Sequence, residues 1–420
     1  MKFLLIGHVR RIRRRQRHKY KEQVLNDSRW CCFRSARARP LLNRGVDVVS
    51  LDIRITALKT TLVALPLERT LKTSIHEISS VCCLLVTLET DAGIKGEGYG
   101  FCFDPARLAA IAQFTESMAS LVINRNPHDV QALWHDFIRS CNFYGQSGVS
   151  VLAYNPIDIA CWDIIGKAAN RPLHQLFGTY RERVPVYASG GLWLSSSKDE
   201  LCEEAQGFVA QGFKAMKMRL GSPDWRDDIA RVEAVRSTIG EGVTLMADAN
   251  QGLTAAQALK LGRELGRFGL AWFEEPVPTW DDDAAAMLVS KLDTPIASAE
   301  TEYTSNGIKR MAQNKAASVF MPDLQRMGGY TEMLKAVRYL AALDLPVSPH
   351  IFTEHSLHIV ASAANATWCE HMPWFARLFN EEMVVESDGM IRVPDRPGAG
   401  FTFDWNRIDR YRIPGPKLGA

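Results

Sequence analysis

The chain has no apolar run near the roughly 18 residues that a membrane-crossing helix needs. Its first apolar stretch, Phe3 to Ile6, is too short for the core of a signal peptide. Nine cysteines are scattered along it without a single C-x-x-C pair, which removes zinc-ribbon and thioredoxin-type readings. An odd number of dispersed thiols points to a reducing, cytoplasmic setting. Nor is there an overall excess of one charge: 50 basic residues face 47 acidic ones, a net +3. With 46% hydrophobic and 23% charged residues, the chain is ordinary for a globular protein, and disordered, collagenous and membrane classes fall away. Its 420 residues are enough for two or three domains at about 150 residues each.

The near-zero net charge hides a division. Residues 1–44 carry 14 Lys and Arg against Glu22 and Asp27, a balance of +12, which leaves −9 on the remaining 376 residues. The run Arg10 to Lys21 (RRIRRRQRHKYK) repels itself and buries little, so residues 1–46 are expected to be a disordered tail outside the fold. Arginines alone give salt-sensitive nucleic-acid contact, and the body offers no recognition module; neither a specific nucleic-acid partner nor a membrane is expected.

From Asp47 the pattern is α+β. Residues 47–64 read as extended, 81–101 as a hairpin turning at Asp91-Ala92-Gly93, and 105–123, 127–139 and 151–169 as helices. Gly96, Gly98 and Gly100 form G-x-G-x-G inside the hairpin's second strand, not a dinucleotide-binding turn. From Val184 short apolar runs end in a polar residue and hand over to an amphipathic stretch, again and again. The strand-end residues are Ser189, Lys217, Asp248, Glu274, Glu300, Asp323, His350 and Glu370, at spacings of 28, 31, 26, 26, 23, 27 and 20. That interval is one β/α unit, and a (β/α) barrel places its chemistry at successive strand ends. The expected division is a capping domain over 47–178, a barrel over 179–375, and a C-terminal segment, 376–420, that turns at Asp388-Gly389 and returns to the cap.

Asp248, Glu274 and Glu300 would converge from three consecutive strands. Three carboxylates without a counter-charge repel strongly, and a hard divalent cation such as Mg²⁺ resolves this while leaving positions for substrate oxygens. Lys217 and Arg219, two residues apart, share one face of a strand. His350 stands on the far side, with Asp323 on the preceding strand to fix its tautomer, an arrangement suited to a general base. His355 and His358 lie at i, i+3 rather than the i, i+4 of a zinc-protease helix, and are read as ordinary helix residues.

GFKAMKMRLG, MADANQG, WFEEPVP, ASAE, MPDLQRMGG, SPH and WCEH, in this order and spacing, resemble the enolase superfamily, mandelate racemase subgroup. PIDIACWDIIGKAANRPLHQLFG at 156–178 resembles that family's junction between cap and barrel. The resemblance runs from about Asp47 to the C-terminal strands. It implies a (β/α)7β barrel with an N-terminal α+β cap completed by the C-terminal segment, and one Mg²⁺ per subunit on Asp248, Glu274 and Glu300. It implies further that His350, oriented by Asp323, removes the α-proton of a carboxylate substrate. Glu370 would hydrogen-bond the carboxylate oxygen as charge builds there, with Lys217 in electrostatic support and Asn250 and Ser189 touching substrate or metal. Loops near Leu65–Ile78 and Phe143–Gly148 would cover the mouth and bring Lys72, His76, Tyr144 and Gln146 as specificity groups. Members are usually homo-oligomers.

One departure decides the reaction class. The family's racemases carry K-x-K, whose second lysine is a base on the opposite face; here that position is Arg219. Guanidinium is a poor proton acceptor. Racemisation needs a base on each face, whereas dehydration needs one. The expectation is therefore a lyase, an acid-sugar dehydratase that converts an aldonate or aldarate to a 2-keto-3-deoxy acid. The alternatives are a racemase, epimerase or cycloisomerase using the same enediolate, and, from another class, a non-catalytic binding protein on the same scaffold.

Overall fold

The computed structural model describes residues 52–415. The basic tail and the start of the 47–64 segment lie outside them. Within these residues the chain begins with a three-stranded antiparallel sheet of β1 (Ile55–Lys72), β2 (Glu77–Thr90) and β3 (Lys95–Cys102). The expected extended segment is thus longer than read, and the stretch read as a loop over Leu65–Ile78 is the end of a hairpin, with a bulge between Pro66 and Leu71. Only Thr73–His76 turn.

The three glycines of β3 have a packing role. Gly96 and Gly98 lie on one face, and a Cβ there would stand 2.1 Å from the Ala160 carbonyl oxygen and 2.2 Å from the Pro156 carbonyl oxygen. The strand therefore lies flush on the helix Val149–Ala168, which is buried along most of its length. Asn155 Nδ2 donates to the Tyr99 carbonyl at 2.9 Å, and Asp158 accepts from both the amide and the hydroxyl of Thr331. Cap and barrel thus share this helix.

The second sheet is parallel: β4 (Arg183–Ala188), β5 (Ala215–Arg219), β6 (Thr244–Asp248), β7 (Phe273–Glu274), β8 (Ile296–Ser298), β9 (Val319–Phe320) and β10 (Cys369–His371), with β10 back against β4. The seventh position is filled by residues 346–350, which make isolated bridges only: Val347 to Phe320 and Ala366, and His350 to Asp323. Seven helices of ten residues or more between Lys198 and Ser362, with the short turn of helix Leu324–Met327, complete a (β/α)7β barrel. Two of them open with capping boxes, Ser197 with Glu200 and Thr254 with Gln257, which fix where each loop gives way to helix.

Side chains alternate along each strand, and this sets the barrel's layering. Tyr187, Ala215, Met246, Trp272, Ala297, Val319 and Met321 form one buried apolar plug. The polar residues stand two positions further along the same strands: Ser189, Lys217, Asp248 and Glu274. The C-terminal segment departs from expectation. Its strand β11 (Met390–Arg392) joins the barrel, antiparallel to the start of β4. The chain then returns to the cap, where Gly398 donates to the Arg171 carbonyl at 3.0 Å, Ala399 to Asp163 at 2.9 Å, Phe403 to Glu97 at 2.8 Å and Ile413 to the Leu62 carbonyl at 3.0 Å. No helix among the described residues is long and apolar enough to cross a membrane.

Candidate active site

Lys217 sits at the centre of the barrel mouth and is fully buried. Its Nζ lies 2.6 Å from Glu274, 3.2 Å from Glu370 and 3.7 Å from Asp248. Burial alone would lower its pKa, but these three carboxylates outweigh burial and hold it above the usual lysine value. These neighbours favour the charged form of Lys217.

Arg219, on the same face, is anchored on several sides. It donates to the Ser189 hydroxyl at 3.0 Å and to the Ser189 carbonyl at 3.3 Å. Its Nε is 3.5 Å from Asp248, and the guanidinium lies 4.5 Å over the Trp193 ring. Ser189 in turn donates to Glu370 at 2.5 Å, and the Ile351 amide donates to the other Glu370 oxygen at 2.9 Å. Burial pushes the Glu370 carboxyl up, but Lys217, His350 and Arg219 pull it further down, well below the carboxylate range. These contacts place Glu370 against Lys217 and Ser189 at the cavity floor.

On the opposite wall, His350 Nδ1 meets Asp323 at 2.8 Å, so Nε2 is the atom turned toward the cavity, 3.3 Å from Glu300. Burial lowers the imidazole pKa, yet Glu300 and the Asp323 hydrogen bond raise it to about 9. Asp323 is held in place by the Arg326 amide at 2.8 Å, and Arg326 also donates to the Glu300 carbonyl at 3.1 Å. Asn250 gives its amide and side-chain N–H to Asp248, at 2.8 and 3.0 Å, while its own buried Oδ1 has no partner.

The donor chemistry fits a divalent cation. If all were ionised, Asp248, Glu274, Glu275, Glu300, Asp323 and Glu370 would outnumber the cations of Lys217, Arg219, Arg326 and His350 by two charges. Burial, with Asp248, Glu370 and Glu300 adding repulsion, raises the Glu274 carboxyl against the opposing pull of Lys217. Burial with Glu300 and Asp248 raises Glu275 as well. One hard dication removes that cost. Glu274 is held by Lys217 and by the Trp272 indole N–H at 2.8 Å, and among the described residues no three acidic, His or Cys side chains surround a common point. Asp248, Glu274 and Glu300 remain the set with consecutive strand ends and the Asn250 oxygen beside them.

The loops that leave these strands adopt left-handed backbone at non-glycine residues: Asn250, Gln251, Glu275, Ile351 and Phe352. Such conformations are costly and persist where packing dictates them. They turn the chain outward within two residues of Asp248, Glu274 and His350.

His76 lines the cavity, with Thr73 and Ile75 from the same turn. Lys72 does not: it pairs with Glu77 on the exposed side of the hairpin, at 3.3 Å. Tyr144 and Gln146 are also elsewhere. Tyr144 is exposed and stacks edge-on against Phe114, and Gln146 donates to the Ile138 carbonyl beside a different hollow. His355 and His358 are core residues of the helix Thr353–Ser362, bonded to Tyr330 and the Ala399 carbonyl. Sequence reasoning passed over Arg326, Trp193 and Glu275, all on the cavity wall. Arg326 and Glu275 lie inside quoted motifs, three residues after Asp323 and one after Glu274, and spacing could have found them. Nothing in the sequence marks Trp193.

Comparison with known proteins agrees over most of the chain. Residues 55–178 match the mandelate racemase / muconate lactonizing enzyme N-terminal domain, and residues 200–407 match the enolase C-terminal domain-like family. L-talarate/galactarate dehydratase of Salmonella typhimurium is 31% identical over 77% of this chain and 81% of its own. 3,6-Anhydro-alpha-L-galactonate cycloisomerase of Streptomyces coelicolor is 29% identical over 86% of this chain and 99% of its own. The crystal structure of the Salmonella dehydratase with Mg and L-lyxarohydroxamate superposes with a TM-score of 0.83 at 28% identity, over 91% of this chain and 98% of that one.

Proposed function

Because the chain belongs to the mandelate racemase / muconate lactonizing enzyme family of the enolase superfamily, we propose that it is a Mg²⁺-dependent lyase that dehydrates an aldonic or aldaric acid to a 2-keto-3-deoxy acid. The observation that carries the reaction class is Arg219. It stands where a second base would be needed and is fastened to Ser189, Asp248 and Trp193. His350 is left as the one competent base.

Asp248, Glu274 and Glu300 would hold Mg²⁺, which would supply positive charge against the substrate carboxylate. His350 Nε2 then takes the α-proton, and the C–H electron pair moves into the carboxylate to give an enediolate. Lys217, held charged by its carboxylate neighbours, stabilises that developing negative charge. The imidazolium returns its proton to the β-hydroxyl, which leaves as water as the C–O bond breaks; the resulting enol tautomerises to the keto acid. Asp323 keeps Nδ1 protonated so that Nε2 does both transfers. Asn250, whose buried side-chain Oδ1 has no partner, completes the ligand-facing wall.

The test is a broad acid-sugar panel with Mg²⁺, assayed for keto acid and, in D₂O, for deuterium at the α-carbon. His350→Asn should abolish turnover while metal binding persists; undiminished turnover would overturn the assignment of the base. A cycloisomerase relative favours one second reading, isomerisation through the same enediolate, which would show α-exchange without loss of water. The reading also takes the enzyme as a cytoplasmic homo-oligomer, the latter checked by light scattering.

A further inference from the structure

One short turn supplies part of the cavity wall. Thr73, Ile75 and His76 face the site from the tip between β1 and β2. The tip is self-contained: the Thr73 amide donates to the His76 carbonyl at 2.9 Å, and the Thr73 hydroxyl accepts from the amides of Ile75 and His76. Little ties it to the barrel. The Leu194 amide donates to the Lys72 carbonyl at 3.3 Å. The closer link is Ser74, whose hydroxyl donates to the Ala249 carbonyl at 2.6 Å and also approaches the Asn250 carbonyl at 3.2 Å.

Two glycines shape the seat for that side chain. A Cβ at Gly221, just past β5, would stand 2.6 Å from the Ser74 Cβ. A Cβ at Gly252, just past β6, would stand 2.5 Å from both the Cβ and the hydroxyl of Ser74. The serine therefore sits between the loops that leave the strands of Arg219 and Asp248, with room for a hydrogen there and not for a carbon. We infer that Ser74 is a positioning residue: docked between Gly221 and Gly252, its hydroxyl sets the depth of the Thr73–His76 turn and so the fit of the substrate end remote from the proton transfer. Its use in substrate selection rests on the acid-sugar reading; the docking itself does not.

Two variants act on the seat from opposite sides. Ser74→Ala keeps the Cβ and removes the donor. Gly252→Ala fills the seat, and since Gly252 lies outside the left-handed region, the backbone tolerates alanine and the turn must lift. Amide hydrogen exchange on the substrate-free chain should show Leu194 and Thr73 exchanging about tenfold faster in each variant, with the barrel amides and the melting temperature unchanged. On the acid-sugar panel, KM should rise about tenfold and discrimination between sugars should narrow, while kcat stays within about twofold. Unchanged exchange at Leu194 and Thr73 would overturn the inference, and so would a uniform loss of protection with a falling melting temperature. If no acid sugar turns over, the functional reading fails, and the exchange experiment still decides the role of Ser74.

Discussion

Lys217 and Arg219 leave β5 two residues apart and differ in what a proton can do at each. An amine can be neutral near physiological pH when its surroundings allow; a guanidinium cannot. Arg219→Lys would place an amine on the face opposite His350 while giving up the bonds to Ser189 and Asp248. Dehydration should fall by about a hundredfold, since several charge-assisted contacts go at once. Substrate recovered from D₂O should now contain the α-epimer, which the parent enzyme does not form. Recovery of substrate with configuration intact in the variant would mean that residue 219 does not decide the reaction class. The site was legible at this scale wherever a residue ends a strand. Asp248, Glu274 and Glu300 follow from a constant interval and a period of two, both local properties. Lys72, Tyr144 and Gln146 were misplaced because their positions depend on how the cap sits on the barrel. Ser74 docks onto residues 175 and 176 positions away, and no local pattern carries that.

Between elements, two contacts make separate predictions. Gly98 lets β3 touch the helix Val149–Ala168, and Gly98→Ala forces a Cβ to within 2.2 Å of a helix carbonyl. Strand and helix must separate, so the variant should lose about 2–4 kcal/mol in denaturant titration, within the range for severe overpacking; a loss under about 0.5 kcal/mol would show that the two slide apart freely. The second contact joins Tyr99 of the cap to Glu354 of the barrel at 3.1 Å. Burial raises the Glu354 carboxyl from 4.5 to about 7, and its second oxygen has no partner. The native state then keeps this proton up to about pH 7 while the unfolded chain releases it near pH 4.5. Stability from this group is complete below 4.5 and is lost as pH rises through 7. Glu354→Gln never ionises, so it should match the parent at pH 4 and exceed it at pH 8, by at most about 3 kcal/mol. Equal melting temperatures at pH 8 would place an ion or water on that oxygen. The hairpin, the helices and the alternation of strand and helix were all legible from periodicity. The seventh strand position, ending at His350, was legible from the same interval, although residues 346–350 are held by single bridges rather than by a ladder.

Over the whole molecule, the near-neutral net charge remains two opposing parts, and the cavity described above belongs to the acidic one. Every residue placed on the cavity wall lies between Thr73 and Trp374, and the first strand begins at Ile55. The substrate is an anion, and a body carrying −9 offers it Lys217, Arg219, Arg326 and the metal. A +12 segment could contribute only by drawing anions toward the molecule, a long-range effect that salt screens over a Debye length of about 8 Å at physiological ionic strength. The two possibilities separate in one experiment. A chain beginning at Asp47 should retain kcat/KM within about twofold at physiological salt, with the same metal affinity, because no group of the site has been removed. If residues 1–46 steer substrate, the full chain will be faster only at low salt, and the two curves will converge as ionic strength rises. Loss of metal binding or of kcat in the shorter chain would put those residues inside the enzyme, and the division of charge would no longer be a division of function.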